Sequence, residues 1–220
     1  MFSEISPAVA IGLIVGFYWA RVLKLVIKTR RQTGRAANFV PPELLGRVLR
    51  IVWYPTVAAW VLVPWLYVLF VSAGFAVPSP MRLLVVAPWV RWPGVLLAAA
   101  ALGATMVCWR KMGRSWRMGI DPGEKTSLIT TGPFAFVRHP IYALSSVVML
   151  GSVLAVCSWL MLVLGLVHTL LLQWEARREE KALVGVHGET YLAYMRQTGR
   201  FLPVPGRRVA QPAGSSLHGG

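Results

Sequence analysis

Acidic side chains are scarce in this sequence: eight Asp and Glu stand against 23 Lys and Arg, a net charge of +15. Charge of either sign is also sparse, at 14% of residues, where a soluble domain carries about 25%. That shortage excludes an ordinary water-exposed fold. Cysteine is limited to Cys108 and Cys157, too few for a disulfide framework, so both read as small buried hydrophobes. There is no GxGxxG behind a strand, no GxxxxGK[ST], no HExxH, no CxxC pair and no GxSxG. Their absence removes the Rossmann domain, the P-loop, the zincin site and the nucleophile elbow from consideration, and no metal site is expected. A pI near 11.1 invites a nucleic-acid reading, but that needs the basic residues on one solvated arm or face. Their distribution argues against a nucleic-acid partner.

What fills the chain is apolar, with 56% hydrophobic residues and a mean hydropathy of +0.58. Runs of membrane-crossing length, about 17 to 25 residues, fall in a clear order. Residues 7–20 extend past Arg21 and Lys24 to Ile27, because such side chains snorkel at a helix end. Residues 51–74 hold 24 positions without a charge and residues 93–109 hold 17. Residues 141–174 are 34 uncharged positions, about 51 Å of helix against a hydrocarbon core of about 30 Å. This stretch is expected to fold as a helical hairpin that breaks near Cys157 and Ser158. The expected fold is all-α and integral to a membrane, with about five transmembrane helices.

The Lys and Arg census gives orientation. The segments between the first and second spans, between the third and fourth, and after the fifth hold 21 of the 23 basic residues, while only Arg82 and Arg91 lie on the other side. By the positive-inside rule the N-terminus is outside and the C-terminal segment cytoplasmic, with membrane lipids as expected partners of the basic surface. Residues 1–6 hold Glu4 and no Lys or Arg, so no cleavable signal peptide is expected.

The organisation expected is a three-span region over 1–109, a region carrying the chemistry over 110–203, and a disordered Pro-, Gly- and Ser-rich tail over 204–220, where His218 reads as solvated. Glu43-Leu-Leu-Gly-Arg, after Pro41 and Pro42, reads as a short interfacial connector helix. Gly12 and Gly16 have the GxxxG spacing of packed membrane helices. His168, inside the last span, is costly in lipid and should face the bundle interior.

Six of the eight acids fall in two basic segments: Asp121 and Glu124, then Glu175, Glu179, Glu180 and Glu189. Glu175, Glu179 and Glu180 follow Trp174 directly, and Glu175 and Glu179 share a helix face. A solvated helix with Arg177, Arg178 and Lys181 as partners is one reading of them; a ligand site at the membrane surface is the other.

The motifs SWRMGID (residues 115–121), TTGPFAFVRHPIY (130–142), the pair Glu179-Glu180 and HGETYLAYMRQTGRFLP (187–203) resemble the isoprenylcysteine carboxyl methyltransferase family and its phospholipid methyltransferase relatives. The resemblance covers about half the chain, and it implies an integral membrane methyltransferase that binds S-adenosylmethionine without a Rossmann domain, in a cytoplasmic pocket closed by the C-terminal segment. Carried over position by position, it implies cofactor binding by Thr126, Leu128, Gly132, Phe134, His139, Pro140, Tyr142 and Glu179, with Glu180 as second choice. Arg138 or His139 is the expected partner of the cofactor carboxylate, and the two with Glu175 form the expected catalytic set.

One departure bears on the substrate. The isoprenylcysteine enzymes carry an Arg four residues before their Glu, where this chain has Glu175. A carboxylate acceptor would be repelled there unless Arg177, Arg178 or Arg117 replaces the missing charge. The expected activity is methyl transfer to a hydrophobic, membrane-delivered acceptor, an isoprenylcysteine-type carboxyl or other lipid-like oxygen or sulfur. Phospholipid amine methylation and a non-catalytic binding protein of the same fold are the alternatives, and the sequence sets no oligomeric state.

Overall fold

A computed structural model describes residues 2–34, 44–85, 87–113 and 128–205. These residues hold six α-helices in order: α1 (Phe2–Thr33), α2 (Leu44–Ser72), α3 (Pro88–Met112), α4 (Pro140–Ala155), α5 (Trp159–His187) and α6 (Glu189–Gln197). Among the described residues there is no strand, only an isolated parallel bridge between Val137 and Gly199.

Among the described residues four helices, α1, α2, α3 and α5, are long and apolar enough to cross a membrane, while α4 is a shorter apolar helix. The 16 residues of α4 rise about 24 Å, short of the roughly 30 Å hydrocarbon core, so four helices of crossing length stand where about five were expected. The hairpin breaks where the sequence placed it. Ala155 ends α4, and the Ser158 hydroxyl caps α5 by accepting from the Met161 amide at 3.3 Å. Beyond Trp174 α5 leaves its apolar part and runs on through the charged residues 175–181.

The connector helix expected after Pro41 and Pro42 is corrected: Leu44–Arg47 is the first turn of α2 itself. No proline interrupts the helix between Leu44 and Tyr54, so the backbone ladder runs unbroken into the apolar stretch. Pro41, Pro42 and Glu43, the SWRMGID motif, Glu124, Thr126 and the tail beyond Pro205 lie outside the described residues.

Packing is tightest between α3 and α4. A Cβ built on Gly94 would lie 2.6 Å from the Gly151 carbonyl oxygen, and one on Gly151 would lie 2.5 Å from that of Gly94. Small residues let the backbones meet, and dispersion then stands in for a hydrophobic drive that lipid cannot supply. Only half of the GxxxG pair is used: Gly12 faces the Trp65 ring, whereas Gly16 faces open space.

Arg91, counted from sequence as a loop charge, sits inside α3 and is fully buried. Its Nε donates to the Ala155 carbonyl at 2.7 Å and its Nη1 to that of Glu4 at 2.6 Å, tying α3 to the end of α4 and the start of α1. Exposed Phe75, Trp89 and Trp159 gather at this same end, as in an interfacial aromatic belt. His168 faces inward as expected, 3.1 Å from the Ser145 hydroxyl and against the Trp60 ring. Cys108 and Cys157 are both free thiols, and Cys108 is buried.

Candidate functional site

The opposite end of the bundle gathers the polar residues. The chain enters it at Leu128, half-buried, and turns at Gly132, whose φ of 65° a side chain would resist. The aliphatic stem of Lys111, from the end of α3, packs over that glycine. A 3-10 turn over Gly132–Ala135 buries Phe134, whose carbonyl accepts the Tyr194 hydroxyl at 2.5 Å. His139 is the N-cap of α4 and Pro140 its first residue, a position where the missing N–H costs nothing.

Two strand-like backbone bonds then join this turn to the C-terminal segment. The Arg138 amide donates to the Gly199 carbonyl at 2.9 Å and the His139 amide to that of Arg200 at 3.1 Å. The ring of Phe201 stands edge-on to His139.

Across from the turn, α5 presents its carboxylates. The Tyr142 hydroxyl donates to Glu179 Oε1 at 2.6 Å, and His139 Nδ1 lies 3.3 Å from Glu179 Oε2. The His139 and Tyr142 rings are parallel, 5.4 Å apart between centroids. On its other side His139 Nε2 faces Glu180 Oε1 at 3.5 Å, too long for a good hydrogen bond and so chiefly a charge interaction. Glu180 is saturated. It accepts Arg138 Nε at 2.8 Å, Arg200 Nε at 3.0 Å and Arg200 Nη2 at 2.5 Å. Arg138 also donates through Nη1 to the carbonyls of Met195 and Thr198.

Burial opposes the charge on Glu180, yet the nearby His139 ring and the hydrogen bonds from Arg200 and Arg138 outweigh it and hold the carboxyl well below the usual carboxylate range. Burial likewise disfavours the His139 imidazolium, and Glu179 and Glu180 reverse that, raising its pKa above the ordinary histidine value.

Glu175 stands slightly apart. It takes Arg178 Nη2 at 2.8 Å and Nε at 3.3 Å, with Arg50 from α2 at 3.8 Å. Of the three arginines that could replace the family's missing charge, Arg178 lies against Glu175, Arg177 is exposed, and Arg117 lies outside the described residues.

The fold thus brings Gly132, Phe134, Arg138, His139, Pro140, Tyr142, Glu179 and Glu180 to one end, with Glu175 one turn along α5. Residues 89–190 match the phospholipid methyltransferase family. That match is consistent with the family resemblance read from the motifs and spans those from SWRMGID to Glu179-Glu180. No curated protein matches the chain. The family is one of membrane methyltransferases, in keeping with the four long apolar helices.

Sequence reasoning passed over Arg50, Arg200, Tyr194 and Thr198. Tyr194, Thr198 and Arg200 sit inside the 187–203 motif, but no local pattern ties them to Phe134 or Glu180.

Proposed function

We propose that this protein is an S-adenosylmethionine-dependent methyltransferase of the cytoplasmic membrane face, acting on a hydrophobic acceptor delivered from the lipid. Glu179 carries the reading. Its oxygens are aimed by Tyr142 and His139, its side chain is 17% exposed, and a carboxylate accepts up to about four hydrogen bonds. It therefore has lone pairs to offer a ligand, whereas Glu180, at 5% exposure, has none to spare. A half-open carboxylate beside two parallel aromatic rings fits a cationic, ribose-bearing ligand. The cofactor supplies an already activated methyl group; the protein has to hold donor and acceptor in line and exclude water.

Glu179 would hold the ammonium or ribose hydroxyls. The first turn of α4 begins with amides that have no helical partner, and these suit the carboxylate, since Arg138 is occupied by Glu180 and two carbonyls. Gly132 and Phe134 would close the loop side. Glu175, with Arg178 and Arg50 beside it, would face the acceptor. Methylation of a phospholipid amine is the second reading, favoured by the family description of residues 89–190.

Calorimetric titration of the detergent-solubilised protein with S-adenosylhomocysteine tests the proposal. Saturable binding is expected, weakened about ten- to hundred-fold in Glu179→Ala, since a charge-assisted hydrogen bond contributes about 1.5–3 kcal/mol. A folded wild-type protein that binds nothing, in detergent and in bilayer discs alike, would favour a non-catalytic membrane protein of the same fold.

A further inference from the structure

His139 is enclosed by charge from every element around it. Glu179 and Glu180 face it from α5, Tyr142 stacks on it from α4, Arg138 precedes it, and the C-terminal segment brings Arg200 and Phe201. Tyr191 and Tyr194 of α6 are buried on the side of Glu180 and Arg138. Both ring nitrogens of His139 point at carboxylates. A neutral imidazole carries one N–H and one lone pair, so one of the two carboxylates would then confront a lone pair; the imidazolium turns an N–H towards each, although Nε2 stays at charge-contact distance from Glu180, 3.5 Å, without a hydrogen bond.

Glu180 is also the place where the C-terminal segment is fastened. Its two oxygens hold Arg138 at 9% side-chain exposure and Arg200 at 28%.

We propose that Glu180 and Arg200 are positioning residues that act through His139: Glu180 holds the ring as an imidazolium whose Nδ1–H fixes Glu179, and Arg200 tempers the charge of Glu180. Neither touches the cofactor. The inference rests on the cofactor reading for its effect on binding, though not for its effect on the histidine.

The two residues have opposite signs, so their removal moves the His139 titration in opposite directions. Glu180→Gln takes away a negative neighbour and lowers the midpoint. Arg200→Met leaves Glu180 less compensated and raises it, and Arg200→Lys restores it. The readout is NMR of histidine-labelled full-length protein in detergent, without ligand, with His139→Gln identifying the signal. Titration with S-adenosylhomocysteine follows. Near pH 7.5 Glu180→Gln is expected to bind about tenfold more weakly, for a midpoint lowered by about one unit, and to recover on acidification.

Midpoints that stay put, or that move the same way in both variants, would overturn the proposal, as would weakened binding that acid does not restore. If the wild-type protein binds no S-adenosylhomocysteine, the cofactor reading fails while the ligand-free midpoints still decide the positioning role.

Discussion

The Tyr142 hydroxyl reaches across from α4 to donate to Glu179 Oε1 on α5 at 2.6 Å, linking residues 37 positions apart. Tyr142→Phe removes this bond and keeps the ring that stacks on His139. The expected result is S-adenosylhomocysteine binding weakened about tenfold, since a hydrogen bond to a charged group contributes about 1.5–3 kcal/mol. The helical signal by circular dichroism should not change, because the buried faces of α4 and α5 are untouched.

At the other end of α4 the limit is space. Gly94→Ala or Gly151→Ala would press a methyl against a backbone carbonyl of the facing helix, which cannot move aside as a flexible side chain can. Each should lower stability by about 1–3 kcal/mol, seen as an earlier thermal unfolding in detergent. Gly16→Ala, where nothing lies within 4 Å, should be neutral or stabilising by up to about 1 kcal/mol.

The site gives stability a pH dependence with two limbs. The pKa of His139 is raised in the folded protein, so its contribution is complete below the unfolded value, about 6.5, and is lost as pH rises through the folded one. The pKa of Glu180 is depressed, so its contribution is complete above about 4.3 and is lost as pH falls towards the folded value. Proteolysis of the C-terminal segment at increasing pH should show the first limb, with protection falling above about pH 6.5. His139→Gln should flatten it.

Glu175→Arg would place a third cation beside Arg50 and Arg178. Acceptor preference should shift towards anionic lipids, by about tenfold or more in relative kcat/KM if one charge contact of about 1.4 kcal/mol is exchanged. The Kd for S-adenosylhomocysteine should change less. Paired assays with anionic and amine-bearing acceptors check it, and unchanged preference with weakened cofactor binding would reverse the assignment.

The sequence by itself determined the apolar helices, the hairpin and its break near Ser158, and the gathering of carboxylates just past Trp174, because these depend on local hydropathy and on capping within a few residues. The RHPIY and Glu-Glu motifs were legible for the same reason, each being contiguous. Which partner each charge takes was decided only by the tertiary structure. Arg200 and Arg138 lie 20 and 42 positions from Glu180, and Arg91 lies 64 from Ala155. No local pattern encodes such pairs. A buried charge must find its counter-charge or an open carbonyl wherever packing brings one, and here the close crossing of α3 and α4 and the return of the C-terminal segment onto His139 brought them together.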